Sequence, residues 1–302
     1  MKIILCMMGF WISFTSFTSF ASQSVIEPDM VVIPSGEFVM GGVSANEQPK
    51  HAVSVRSFKL SKYETTVKEF RQFVEATGYQ TRSICWAWQE VTSEHDWGFN
   101  IHKGDWKTPK YAPSDDHPVM CVTWEEAKAY AKWLSEKTNK TYRLPSEAEW
   151  EFAARAGTST DYYFGNDLSK LCEYGNILDM SGSKALKRDY KVNKDPVVCD
   201  DGAEYTSAVG KYKPNAYGLY DMIGNVGEYT LDCEHSDYTG APTNGSAWVD
   251  ECKQGNPMIM HRGGAYGANS NAVRSAHRAH AGTTNPSSLG EGFRLVEDII
   301  TN

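Results

Sequence analysis

The run Asn215-Ala216-Tyr217-Gly218-Leu219-Tyr220-Asp221-Met222-Ile223-Gly224-Asn225-Val226-Gly227-Glu228 constrains the fold most. Glycines, asparagines and lone carboxylates crowd it too irregularly for a helix, so it reads as a loop that shapes its own backbone. Asp221 and Glu228 offer hard oxygen ligands, and glycine lets neighbouring carbonyls turn inward toward a cation such as Ca²⁺. Further on, Arg262-Gly263-Gly264-Ala265-Tyr266 reads as a tight bend entering a strand.

Around this loop the chain has 302 residues, 41% of them hydrophobic, which is enough for a sizeable core. A net charge of −8 without a long basic run argues against nucleic-acid binding. With 12% aromatic residues and 25 glycines, a loop-rich globule is expected rather than a helical bundle. Lys2 followed by the apolar stretch from Ile3 to Phe20 and the small-residue pattern Ser19-Phe20-Ala21 predicts a signal peptide over 1–21, cleaved before Ser22. Hydroxyl interruptions favour cleavage over a membrane anchor. The expected location is periplasmic or secreted.

Cleavage would remove Cys6 and leave Cys85, Cys121, Cys172, Cys199, Cys233 and Cys252. An even count in an exported chain points to disulfides, and the lack of a Cys-x-x-Cys pair argues against zinc and thioredoxin-like chemistry. Sequence does not choose among the pairings. Neighbour pairing (85 with 121, 172 with 199, 233 with 252) is taken as the expectation, each bridge being worth ~3 kcal/mol in the chain-entropy model.

The segment Met30 to Gly42 predicts two strands around a Pro-Ser-Gly turn, and His51 to Val55 a third. Three helices carry capping boxes: Thr66 with Glu69, ending at Gly78; Thr123 with Glu126; and Ser146 with Glu149, stopping at Gly157. The stretch 79–118 is aperiodic and holds Trp86, Trp88, Trp97 and Trp106. Little helical pattern follows 157. Such long irregular stretches need disulfides or metals to hold them. A single domain is expected over 22–302.

Six motifs in order then carry a family resemblance: Ile33 to Gly41; His117-Pro118-Val119 leading into Val122-Thr123-Trp124-Glu125-Glu126-Ala127; Arg143 to Glu151; Asn215 to Glu228; Arg262-Gly263-Gly264; and Gly292-Phe293-Arg294-Leu295. The chain resembles the formylglycine-generating enzyme family, also called the sulfatase-modifying-factor family, over Met30 to about Val296. The resemblance implies an α+β, C-type-lectin-like domain with little regular secondary structure, stabilised by disulfides and calcium, with a groove on one face. It is similar to an exported bacterial subgroup that includes a pyoverdine-maturation protein. It implies one calcium site from Asn176, the Ile177 carbonyl, Asp201 and the Ala203 carbonyl. It implies a second from Asp221, the Gly224 and Val226 carbonyls, and Glu228. Turn capping is the plainer alternative for the same side chains.

The family's oxidative centre does not carry over. Its members place a serine after the two glycines and two copper-binding cysteines beyond it. Here those positions hold Ala265, Ala268 and Val273, and a tryptophan common in the preceding loop is Gly227. Soft thiolates select Cu(I), so copper is not expected. Candidates for a replacement chemistry are Glu291, His277 and Arg274. Arg274, Arg278 and His280 could line the groove and hold an anion, whereas His261 and His277 read equally well as structural. Arg294 reads as half of a buried pair. Glu291 is either a general base or a solvated turn residue. Asp115, Asp116 and His117 are expected to order the loop entering the second helix. Two functions follow: a maturation enzyme or oxidoreductase acting on a peptide or peptide-derived molecule, or a non-catalytic module binding a ligand or envelope protein. Either would be a monomer off the membrane with no nucleic-acid partner.

Overall fold

The computed structural model describes residues 25–299 except 94, 95, 97, 109, 251, 253–257 and 284–286. The expected leader 1–21 and Trp97 therefore lie outside the described residues. In chain order the strands are β1 (Met30–Ile33), β2 (Gly36–Met40), β3 (His51–Val55), β4 (Phe58–Ser61), β5 (Ile84–Trp88), β6 (Phe99–Lys103), β7 (Tyr142–Arg143), β8 (Gly227–Cys233), β9 (Met258–Arg262), β10 (Ala279–Gly282), β11 (Glu291–Gly292) and β12 (Val296–Glu297). The α-helices are α1 (Val67–Thr77), α2 (Trp124–Thr138), α3 (Glu147–Arg155), α4 (Leu171–Tyr174) and α5 (Met180–Tyr190). The result is a mixed α+β fold in which loops outweigh regular elements.

The Pro-Ser turn separates β1 from β2 as expected, yet sends them to different sheets. β1 joins the order β1-β4-β12-β7, while β2 pairs with β3. Both ends of the described chain thus meet in one sheet, with Met30 opposite Ser61 and Val296 opposite Leu60. The second sheet, β10-β9-β8-β11, builds the functional face. Its registers set Glu291 beside Gly227, and both Tyr229 and Ala279 beside His261.

The three predicted capping boxes all form. Thr66, Thr123 and Ser146 each accept from the backbone N–H three residues on, and each N3 glutamate reaches back. Helix α3 stops at Arg155, one turn residue before the expected glycine, because Ala156 already adopts the left-handed conformation at φ 45°. Helix α5 corrects the expectation that helical structure is nearly lost after 157. Its cap, Asp179, accepts from Gly182 N–H without a capping box. The helix buries only Gly182, Ala185 and Leu186, so its apolar stripe is too thin to stand out in the sequence.

Three packed clusters form the core. One centres on Trp150 with Ile33, Leu60 and Ile223; one joins α1 to α2 through Phe70, Phe73, Tyr130 and Leu134 against Phe293. The third lies beneath the functional face and includes Met120, Val226, Tyr266 and Leu289. The disulfides are Cys85–Cys121, Cys172–Cys199 and Cys233–Cys252, with Cα separations of 5.6, 6.0 and 5.6 Å, as neighbour pairing predicts. The first ties the aromatic hairpin β5–β6 to the segment before α2. The second staples α4 to the loop after α5. Among the described residues no helix is long and apolar enough to cross a membrane.

Candidate functional site

The loop Asn215–Glu228 is fixed by its own side chains. Asn215 donates to Ala153 O at 2.8 Å and accepts from Tyr217 and Leu219 N–H, so one amide ties the loop to the end of α3. Asp221 and Asn225 sit at φ 56° and 58°, a region these two residue types tolerate best among non-glycines. A Cβ on Gly224 would lie 1.8 Å from Asn176 O, so the strands of this loop meet only because that position is glycine. Asn225 is fully buried. It accepts from Asn176 Nδ2 and Ser207 N–H and donates to Glu64 at 2.6 Å.

Behind the loop lies a buried acid cluster. Arg294 grips Glu228 with two hydrogen bonds of 2.6 and 2.7 Å, and Trp150 Nε1 donates to the same carboxylate at 2.7 Å. Arg294 is thus the buried structural pair expected. Glu64, absent from the sequence-based candidates, accepts from Val226 N–H, and burial plus the charges of Asp221 and Glu228 push its carboxyl well up. Asp221 accepts from Gly210 N–H through Oδ2, while its buried Oδ1 has no partner. Burial pushes Asp221 up to about 6. Three carboxylates thus face one guanidinium, and one oxygen is orphaned. That donor chemistry fits a hard cation at Asp221, whereas both Glu228 oxygens already serve Arg294 and Trp150.

The other predicted calcium loop is assembled differently. Asn176 turns its amide to Tyr205 O and Asn225, while Asp201 accepts from Ala203 N–H at 2.7 Å and more distantly from Ile177 N–H. Asp179 joins it, accepting from Asp201 N–H at 2.6 Å. One oxygen each from Asp179 and Asp201 and Cys172 Sγ all lie within 4.8 Å of one another. Cys172 is disulfide-bonded, so its sulfur is no thiolate and the two carboxylates are the effective donors. Burial pushes Asp201 up to about 7 and raises Asp179.

The groove is a cavity of about 540 Å³ above the sheet β10-β9-β8-β11. Its walls are Trp88 and Phe99 from the aromatic hairpin and the turn Gly264–Ala268; its polar groups are His261, His277, Glu291, Ser288 and Lys194. Ala265 and Ala268, where the resemblance places a serine and a cysteine, both face it. Val273 is fully buried in the core beneath. A Cβ on Gly227 would come within 2.8 Å of His261 Nδ1, so glycine here leaves the imidazole room on the strand.

Glu291 is not a solvated turn residue. Tyr229 Oη, Ser287 Oγ and Ser288 N–H donate to its Oε2 at 3.1, 3.2 and 3.0 Å, and its Oε1 lies 3.9 Å from His261 Nε2. His261 keeps a buried, unpartnered Nδ1, and burial lowers its pKa. Burial, followed by the charges of Arg262 and Arg274, lowers His277 to about 4, so both imidazoles are neutral at pH 7. Lys194 rests its ammonium 4.5 Å over the Trp88 ring. Trp88, Phe99 and Lys194 escaped the sequence-based list because they reach the groove from distant segments that carry no motif.

The arginines stand elsewhere. Arg274 is held by Glu47 at 2.7 and 3.1 Å, and Arg278 by Glu147, the Asn46 and His235 carbonyls and the face of Tyr238. Arg262 bridges Glu147 and Glu151. His280 pairs with Glu234 at 3.1 Å. Arg274 and Arg278 are spent on buried carboxylates and His280 on an exposed one, and none of the three is among the residues that line the groove. Asp115 and His117 offer their carbonyls to Lys68 and Val67 N–H, so they order the start of α1. Asp116 O accepts from Val209 N–H.

A groove of this shape above such a loop defines a class, and comparison with known proteins agrees. Residues 16–299 match the sulfatase-modifying factor enzyme 1-like domain, so the chain belongs to that family. It is 32% identical to the formylglycine-generating enzyme of Streptomyces coelicolor, covering 89% of this chain and 88% of that protein. It is 30% identical to the bovine inactive C-alpha-formylglycine-generating enzyme 2, covering 74% of this chain and 77% of that one. Among solved structures it resembles PvdO from Pseudomonas aeruginosa, with TM-score 0.72, 32% identity, and 90% and 95% of the two chains covered.

Proposed function

We propose that this is an extracytoplasmic member of the family that takes a peptide or peptide-derived molecule into the groove and rearranges it by proton transfer, without copper or thiols. The observation that carries it is the groove itself. Ala265 and Ala268 replace the reactive side chains, and a neutral imidazole and an oriented carboxylate stand on its floor. Glu291 would take a proton from one atom of the ligand and return the same proton at a neighbouring atom, while the neutral His261 hydrogen-bonds the charge that develops between the two transfers. Such a tautomerisation needs no external oxidant. Three disulfides support an oxidising location. The experiment is to incubate the disulfide-intact protein with a peptide library in D₂O and read carbon-bound deuterium or altered ultraviolet absorption. Glu291→Gln should abolish the change while leaving binding. Binding with no chemistry in the wild-type protein would instead establish a ligand-binding module, for which the apolar walls Trp88 and Phe99 already suit.

Calcium forms part of the same proposal. Asp221 Oδ1 supplies a free oxygen in one loop, and Asp179 and Asp201 supply carboxylates in the other. Chelator should lower the melting temperature, and Asp221→Ala should remove a share of that dependence. A melting temperature indifferent to calcium in the wild-type protein would contradict it.

A further inference from the structure

A second cavity, of about 450 Å³, shares no lining residue with the groove and lies between the segment before α2 and the loop that follows Asp201. Its wall holds His117, only 8% exposed, and its rim holds Lys110, Arg188 and Lys211. The hydrogen bonds around His117 fix its tautomer. Thr206 Oγ1 gives its single proton to the Tyr111 carbonyl. It therefore accepts at its 2.9 Å contact with the imidazole, so His117 Nδ1 carries the hydrogen. Nε2 is left as a lone pair with no partner among the described residues. Burial lowers the pKa of the ring; the charge of Asp116 favours its protonation and that of Lys211 opposes it.

The cations differ in how far they are spent. Arg188 is committed to Asp189 and Glu204, with hydrogen bonds of 2.6 to 3.0 Å to both. Lys110 pairs with Asp189 at 3.2 Å. Lys211 donates to a carbonyl, Asp201 O, at 3.1 Å and lies 5.3 Å from the centre of the Tyr212 ring. Its charge has no carboxylate partner among the described residues. An ammonium without an ion pair and an unpartnered imidazole nitrogen that opens to the cavity thus line one space.

We propose that this cavity is a second ligand site, for a small carboxylate bearing a neighbouring O–H or N–H, the chemistry of an α-hydroxy or α-amino acid. The carboxylate pairs with Lys211, and the hydroxyl or amine donates to His117 Nε2. Neither group alone satisfies both partners, so the pair selects for the two functions together.

Calorimetric titration of the full chain with glycolate, glycine and acetate tests this. Glycolate or glycine should bind at least about tenfold more tightly than acetate, the difference one charge-assisted hydrogen bond makes. Lys211→Met should weaken binding of all three probes. His117→Asn keeps an amide donor for Thr206 but deletes the Nε2 acceptor, and should erase the preference over acetate. Ala268→Trp, which fills the groove, should leave glycolate binding unchanged. Equal affinity for glycolate and acetate, no measurable binding of any probe, no effect of both cavity variants, or loss of binding in Ala268→Trp would each overturn the proposal.

Discussion

Asp232 shows how much a single buried carboxyl can weigh. Its two oxygens accept from Glu147 N–H at 2.6 Å and Trp248 N–H at 2.7 Å, joining α3 to the segment after β8. Burial, with the nearby charge of Glu147, pushes it up to about 7. A folded pKa above the unfolded value near 4 means that its contribution is full below about pH 4 and is lost as pH rises through about 7. Asp232→Asn cannot accept at both oxygens and should cost about 1–3 kcal/mol for the orphaned N–H. That cost should be larger at pH 5 than at pH 8, where the wild-type carboxylate is penalised. Denaturant unfolding at the two pH values reads the difference. A gap that widens with pH would contradict the assignment. Arg262, Arg274, Arg278 and Arg294 follow the same logic in reverse: each is buried because a carboxylate meets it.

At the scale of elements, disulfides do what short strands cannot. The Cys172–Cys199 bridge encloses a separation of 27 residues that includes α5, whose thin stripe gives it little packing of its own. Replacing both cysteines by serine should destabilise by about 3 kcal/mol and raise amide exchange through α5 before α2. Uniform exchange across both helices would contradict that ranking. The helices with capping boxes were legible because Thr66, Thr123 and Ser146 each announce a start and a periodic stripe follows. Helix α5 was not, since Asp179 caps it alone and its buried side is two small residues and one leucine. The same limit holds at the site. Ala265, Ala268 and Glu291 were legible because they lie in or beside motifs. Trp88, Phe99 and Lys194 converge only through tertiary pairing, and the spent arginines could not be told from free ones before their carboxylate partners were seen.

For the whole molecule, a rigid frame and the face of the groove play separate parts. The loop Asn215–Glu228, the Gly-Gly bend and the buried Arg294–Glu228 pair hold the groove open. Ala265 and Ala268 line the groove, and Val273 is buried beneath it. On the proposed reading, proton transfer at Glu291 and His261 takes the place of thiol-dependent oxidation. The most direct measurement is mass spectrometry of a Cys-x-Pro-x-Arg peptide after aerobic incubation with the disulfide-intact protein and copper(I). The peptide cysteine should remain unconverted. Formylglycine formed in proportion to enzyme would contradict the central claim.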